Sequence, residues 1–151
     1  MITSASPHSA PAPPTIASAL WVDAERFLTA GSSGHAVVLD ADRVLNSAPG
    51  PMEMVLRSLC ACSATDVLIV LKKTRQAFRH VEVSAEGERA PAPPQVYTHI
   101  HLRYRVLGER VDRSVVERAV ALSHAKYCSV FLMLQPSVAI THEIDLEAPP
   151  A

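Results

Sequence analysis

The feature that most constrains the fold is a long apolar run between Gly50 and Gln76. Pro51 suits the first turn of a helix, because the N–H that proline lacks would be unpaired there anyway, and neither glycine nor proline follows it in the run. Lys72 and Lys73 lie at the far end, where cations complement the helix dipole. The pattern predicts one helix of about 25 residues, about 38 Å long at 1.5 Å per residue.

The middle of this predicted helix is apolar on nearly every side, which is typical of a buried helix. The charged residues Glu53, Arg57 and Asp66 interrupt it, whereas a membrane span needs about 20 mainly apolar residues. We therefore expect a core helix and no membrane partner.

Size and composition narrow the class of protein. The chain has 151 residues, enough for one domain with a core, and its formal net charge of −1 without a basic cluster predicts no nucleic-acid partner. Three cysteines in a chain of this length do not form a disulfide framework. No signal peptide is visible at the start, so we expect a cytoplasmic protein, in which a cysteine pair is more often catalytic than structural.

The rest of the chain predicts an α+β domain. Residues 1–18 are rich in proline, serine and alanine and predict a disordered tail, residues 19–147 the folded domain, and residues 148–151 a frayed end. Strands are predicted at 20–22, 26–30, 35–40, 80–86, 96–106 and 138–146, with a hairpin turn at the Gly-Ser-Ser-Gly tetrad 31–34. Shorter helices should begin near Ser114 and span 129–134. We expect strands paired largely by hairpins, with helices across one face.

Two local patterns carry specific expectations. Residues 96–106 alternate cleanly, which predicts a strand with one buried face; that face comprises Val96, Thr98, Ile100, Leu102, Tyr104 and Val106. Ser114 and Glu117 have the spacing of a capping box, in which each side chain would satisfy a backbone N–H of the helix start.

The cysteines are the first candidates for chemistry. Cys60 and Cys62 would project about 200° apart on a helix, so they are poorly placed to share a metal or a disulfide. Cys128 follows Lys126 and precedes a predicted helix, and both features tend to lower the pKa of a thiol. Either helix cysteine could instead be a small buried hydrophobic residue.

A histidine pair is the second candidate. His99 and His101 should share one strand face, as zinc ligands can, and His142 or Glu143 could supply a third ligand. Arg103 and the arginine two residues after it continue the same face and would repel a dication. We therefore predict no stoichiometric metal and no cofactor.

Three segments together resemble the OsmC/Ohr superfamily of thiol-dependent peroxidases, most of all its YhfA-like branch: PMEMVLRSLCACSATDVLIVLKKTRQ (51–76), VYTHIHLRYRVLG (96–108) and VERAVALSHAKYCSVFLML (116–134). With the strands between them, the resemblance covers roughly residues 20–146. It implies the OsmC-like α+β fold, with antiparallel sheets around a long cysteine-bearing central helix, in an intertwined homodimer.

The resemblance also implies a mechanism. The family's central-helix cysteine falls on Cys62 and its second cysteine on Cys128, while Cys60 takes a usually non-reactive position. Cys62 would attack an organic hydroperoxide and become a sulfenic acid, Cys128 would resolve it as a disulfide, and an external thiol would reduce that disulfide.

Two departures from the family pattern keep a second function open. The family places a carboxylate directly after the helix-starting proline, paired with an arginine that activates the thiolate; here Met52 stands there, and Glu53, one place later, is the candidate for the catalytic carboxylate. The first strands offer only Arg26 as that arginine, and an ionised Asp66 one turn after Cys62 would disfavour a thiolate. The alternative is a non-catalytic dimeric binding or redox-sensing protein.

Overall fold

The computed structural model describes residues 12–148, so most of the predicted N-terminal tail and residues 149–151 of the C-terminal one lie outside the described residues. Regular structure begins at Ala17, inside the range predicted as tail. The chain divides into two compact units, one ending at Pro51 and the other beginning at Met52.

The first unit contains a three-stranded antiparallel sheet. It is made of β1 (Ala17–Asp23), β2 (Arg26–Gly31) and β3 (Ala36–Asp40), in the order β1-β2-β3. The predicted turn joins β2 to β3, and the Gly34 N–H donates to the Gly31 carbonyl at 3.0 Å. Gly34 has φ of 79°, a left-handed conformation that glycine adopts without steric cost.

The second unit is organised on α1 (Pro51–Lys73), which confirms the predicted long helix. Arg75 takes a left-handed conformation just beyond its end, and the Gln76 N–H bonds back to the Leu71 carbonyl at 3.0 Å. This is a Schellman-type termination with a residue other than glycine in the left-handed position.

A second sheet forms the other layer of this unit. It contains β4 (Ala77–Arg89), β5 (Tyr97–Arg110) and β6 (Ala139–Glu147) in the order β4-β5-β6. β4 and β5 pair antiparallel, as expected for a hairpin, but β6 joins β5 in parallel. A parallel neighbour needs a crossover, and the helices between β5 and β6 supply it.

The strand boundaries and one predicted face need correction. β4 continues through Gly87 to Arg89, where a loop was predicted, and β5 continues through Gly108 to Arg110, where a turn was predicted. A Cβ on Gly87 would lie 2.5 Å from the Tyr97 ring, so only glycine lets that ring pack there.

A register shift between Glu88 and Arg89 explains the wrong face at the start of β5. Tyr97 is buried, while Thr98 and Val96 are exposed, the reverse of the prediction. From Ile100 to Val106 the alternation is as predicted, because the ladder is regular there.

The crossover consists of α2 (Arg113–Leu122), a π-helical turn (Ser123–Tyr127) and α3 (Ser129–Leu134). The predicted capping box is wrong, because Asp112 is the N-cap and accepts from the Ser114 N–H at 2.8 Å. Glu117 instead forms an ion pair with Arg113 at 3.5 Å. Cys128 is the N-cap of α3.

The core lies between α1, the second sheet and the crossover helices. Leu59, Val67 and Leu71 of α1 belong to it, and the buried Ser63 lies on the same line of every fourth residue. By length and composition α1 could also cross a membrane. Its buried line packs with core residues of β5 and α2, so α1 is the core helix of this unit: Ile100, Leu102, Tyr104, Val106, Val116, Ala119 and Val120.

Candidate active site

Two cysteines from distant parts of the chain meet beside α1. The Sγ atoms of Cys62 and Cys128 and a carboxylate oxygen of Asp66 all lie within 4.8 Å of one another. Cys62 and Asp66 are one helical turn apart on α1, so they share a face of that helix. Cys128 approaches from the start of α3 and is fully buried, whereas Cys62 is half-buried.

The Cys128 thiol is held by two donors. The Phe131 N–H and the Ser63 hydroxyl each donate to its Sγ at 3.4 Å. Burial nevertheless raises the pKa of Cys128, with the Cys62 thiol raising it further and the two donors opposing the shift. The expected lowering of this pKa by the helix start and Lys126 is therefore wrong, because desolvation outweighs the hydrogen bond at the helix start and Lys126 is not among the groups that shift this pKa.

A buried polar network continues from Ser63 into the core. The hydroxyl of Tyr104 is bonded to His124 Nε2 at 2.8 Å, and burial raises the phenol pKa, a rise that the neighbouring Ser63 side chain opposes. The His124 ring stacks on Phe131 at 4.0 Å and meets His142 edge-on at 4.9 Å. Burial, with a smaller contribution from His142, lowers the His124 pKa to about 4.

Cys60 and Cys62 lie on different sides of α1, as their helical spacing predicts. Cys60 borders an open groove of about 450 Å³ between α1 and β4, and burial raises its pKa. Glu53 and Arg57 border the same groove and pair with each other at 2.5 Å. Of the predicted site residues, the structure thus brings Cys62 and Cys128 together and places Glu53 with Cys60.

The candidate arginine has a local partner. Arg26 binds Asp23 through two hydrogen bonds, at 2.6 and 2.5 Å, across the turn between β1 and β2. Both side chains belong to the first unit, and this pairing raises the Arg26 pKa.

The histidine pair lies on the wet face of β5, as its alternation predicts. His99 Nε2 and His101 Nδ1 both contact the Thr141 hydroxyl, at 3.1 and 2.8 Å. Glu143 lies 3.7 Å from His101 but is bound by Arg103 at 2.5 Å. Among residues 12–148, the only group of three or more potential metal ligands within reach of one another is the Cys62, Asp66 and Cys128 triad.

Three residues beside the thiols carry no clear signal in the sequence. Ser63 appears only as the neighbour of Cys62, Tyr104 as one more residue on an apolar strand face, and His124 as a helical histidine. Their contacts arise from the packing of three separate elements. Only a polar group at a core position of β5, Tyr104, could have suggested a buried partner.

Comparison with known proteins identifies the family to which this chain belongs. The model of the OsmC-like protein family matches residues 44–143. The chain belongs to the OsmC-like family. It is 43% identical to protein YhfA of Escherichia coli strain K12 over 128 residues, covering 85% of this chain and 95% of that one.

Solved structures agree with that assignment. A hypothetical protein from Aquifex aeolicus is 28% identical with a TM-score of 0.82, over 92% of this chain and 100% of the other. An organic hydroperoxide resistance protein OsmC from Legionella pneumophila shares the fold at 16% identity and a TM-score of 0.65, over 90% and 99% of the two chains. The predicted OsmC-like α+β fold and the likeness to YhfA are both confirmed.

Proposed function

We propose that this protein is a thiol-dependent peroxidase that reduces organic hydroperoxides, with Cys62 as the attacking thiol and Cys128 as the resolving one. The observation that carries the proposal is the approach of the two sulfur atoms, within 4.8 Å of each other. A disulfide needs an S–S bond of about 2.0 Å, so the two sulfur atoms have to move closer together as it forms. Membership of a family that includes hydroperoxide resistance proteins supports the same chemistry.

The different burial of the two thiols supports this order of events. Cys62 is half-buried and is the more accessible of the two, whereas Cys128 is fully buried. Burial also raises the pKa of Cys128, which disfavours its thiolate as the first nucleophile. We therefore expect Cys62 to react with the hydroperoxide first, and Cys128 to attack the oxidised Cys62 afterwards.

The reaction balances in two steps. The Cys62 thiolate attacks the terminal oxygen of ROOH, the O–O bond breaks, and the leaving alkoxide takes a proton to become ROH while Cys62 becomes a sulfenic acid. Cys128 then attacks that sulfur and the hydroxyl leaves as water, which forms the disulfide. Two equivalents of an external thiol return both cysteines to the reduced state.

A kinetic and mapping experiment tests this function. Mixing the reduced protein with an organic hydroperoxide should produce an intrachain Cys62–Cys128 disulfide, found by peptide mass spectrometry, and consume one peroxide per protein. Cys62→Ser should abolish consumption, because a serine hydroxyl is far less ionised than a thiol. Cys128→Ser should leave a Cys62 sulfenic acid that a dimedone-type reagent traps.

The matched control is Cys60→Ser, because Cys60 is on the same helix but borders the groove between α1 and β4 instead of the thiol pair. It should react as fast as the wild-type protein. A Cys62→Ser variant that consumes peroxide at the wild-type rate, or a wild-type protein no faster than a free thiol, would refute the peroxidase.

One observation favours a second function, a non-catalytic binding or redox-sensing protein. Glu53 binds Arg57 on the Cys60 side of α1, so this carboxylate–arginine pair is not beside Cys62. The carboxylate that does lie beside Cys62 is Asp66, whose charge opposes a thiolate. This function predicts slow peroxide consumption together with a disulfide that forms under a milder oxidant such as diamide.

A further inference from the structure

The charge of the thiol site is unusual for a site that must hold a thiolate. Two thiols and a carboxylate converge there, and each of these groups is neutral or negative. None of the ion pairs among the described residues includes Asp66. Arg26 and Arg57, the two arginines considered above as partners for the thiol site, bind other acids. A site of this composition becomes stable in its deprotonated form when a cation occupies it.

We propose that the reduced protein binds one thiophilic divalent cation, such as Zn²⁺, through Cys62, Cys128 and Asp66. Zinc prefers thiolate, imidazole and carboxylate ligands in a tetrahedron. Bond lengths of about 2.3 Å to sulfur and about 2.0–2.2 Å to oxygen place neighbouring ligand atoms about 3.6–3.8 Å apart. The three donor atoms already lie within 4.8 Å of one another, and the fourth position would be filled by water.

Neighbouring hydrogen bonds hold two of the three ligands as a metal site requires. The Phe131 N–H and the Ser63 hydroxyl point at the Cys128 sulfur, where they would stabilise a coordinated thiolate. The Ser123 hydroxyl donates to Asp66 Oδ2 at 2.8 Å and fixes the orientation of that carboxylate. Partners of this kind orient metal ligands and raise metal affinity.

The patterns visible in the sequence favour no metal site, and the fold explains the difference. A Cys60–Cys62 pair on a helix is splayed, and His99 and His101 lie beside arginines. The triad exists only because Cys128 packs against the Cys62 side of α1. Coordination and disulfide formation use the same two sulfur atoms, so a bound cation and oxidation of the pair exclude each other.

Metal titration of the reduced, chelator-treated protein tests the site. Zn²⁺ competed against a chromophoric chelator should bind at one ion per chain, and Co²⁺ in its place should show the thiolate-to-cobalt charge-transfer bands and strong visible bands of a tetrahedral site. Asp66→Asn keeps the shape of the side chain and Cys62→Ser removes a thiolate. Each change loses a direct ligand, so each should weaken binding by more than the roughly 10–100-fold that the loss of an outer-shell partner costs. Cys60→Ser and His101→Ala should bind as the wild-type protein does.

Oxidation provides a test without substitution. Diamide converts two thiols into a disulfide, so the diamide-treated protein should lose the site and regain it after reduction. The proposal would be overturned if the reduced protein bound no metal, or if binding persisted in the disulfide form or in Cys62→Ser. Wild-type affinity in Asp66→Asn, or loss of binding in His101→Ala, would also overturn it. The readout is metal affinity, so it stands or falls separately from peroxide consumption.

Discussion

At the scale of single residues, the most informative contact is the bond between Tyr104 and His124. Tyr104 is fully buried, and its hydroxyl is 2.8 Å from His124 Nε2. Tyr104→Phe should lower the free energy of unfolding by about 1–2 kcal/mol, because it leaves a partly buried imidazole nitrogen without its partner. Urea denaturation followed by circular dichroism measures it.

The matched control is Tyr127→Phe, since the Tyr127 side chain is half exposed. That change should leave the urea midpoint unchanged. Equal effects of the two substitutions would show that the Tyr104–His124 bond does not contribute to stability.

The same histidine predicts a pH dependence of stability. Burial lowers the His124 pKa to about 4, and burial followed by His101 lowers that of His142. The unfolded chain takes up the His124 proton as the pH falls below about 6.5, whereas the folded protein resists until about pH 4, and His142 acts in the same direction. Stability should therefore fall as the pH is lowered through that window.

Thermal unfolding between pH 7 and pH 4 checks this expectation. His124→Gln should flatten the curve relative to the wild-type protein. The difference between the two curves is the relevant quantity, because other groups also contribute to the acid end. Asp40 and Asp112 have lowered pKa values, so the protein loses their stabilising contribution when they are protonated. Parallel curves would assign the pH dependence to groups other than His124.

At the scale of elements, the start of α2 distinguishes two capping arrangements. Asp112→Ala should destabilise the protein by about 0.5–2 kcal/mol, because its carboxylate accepts from both the backbone and the hydroxyl of Ser114. Glu117→Ala should cost about 0.5 kcal/mol or less, because its ion pair with Arg113 is exposed. Chemical denaturation of both variants gives the comparison, and the opposite order would restore the predicted capping box.

At the scale of the whole molecule, exposed apolar surface predicts a homodimer. Leu20, Leu28 and Val38 are cross-strand neighbours on one face of the first sheet and at least 38% exposed, while Trp21 and Phe27 are exposed on its other face. A patch of this kind marks an interaction surface. On α1, Ile69 is also 44% exposed.

We expect the interface to bury about 2,000 Å² in total, the size of an obligate pair. Sedimentation should show a dimer at micromolar concentration, and Leu20→Glu should convert it largely to monomer by placing a charge in the apolar patch. Ser33→Glu, an exposed polar position in the turn of the same sheet, is the control and should remain dimeric. A folded wild-type monomer at micromolar concentration would contradict the expectation.

The sequence by itself determined the elements whose causes are local. The unbroken apolar run after Pro51 specified α1, the regular alternation specified the middle of β5, and the glycine-rich tetrad specified the turn between β2 and β3. Their residues make most of the deciding interactions with near neighbours in the chain. The helical spacing likewise separated Cys60 from Cys62.

Only the tertiary structure decided the features that depend on distant contacts. The shift beside Glu88 reversed a strand face, the parallel pairing of β6 followed from the crossover, and burial raised the Cys128 pKa that its local surroundings would lower. The meeting of Cys62, Asp66 and Cys128 also belongs here. The register of paired strands, the desolvation of a side chain and the meeting of distant residues all depend on which surfaces pack together. No single stretch of the chain specifies that packing.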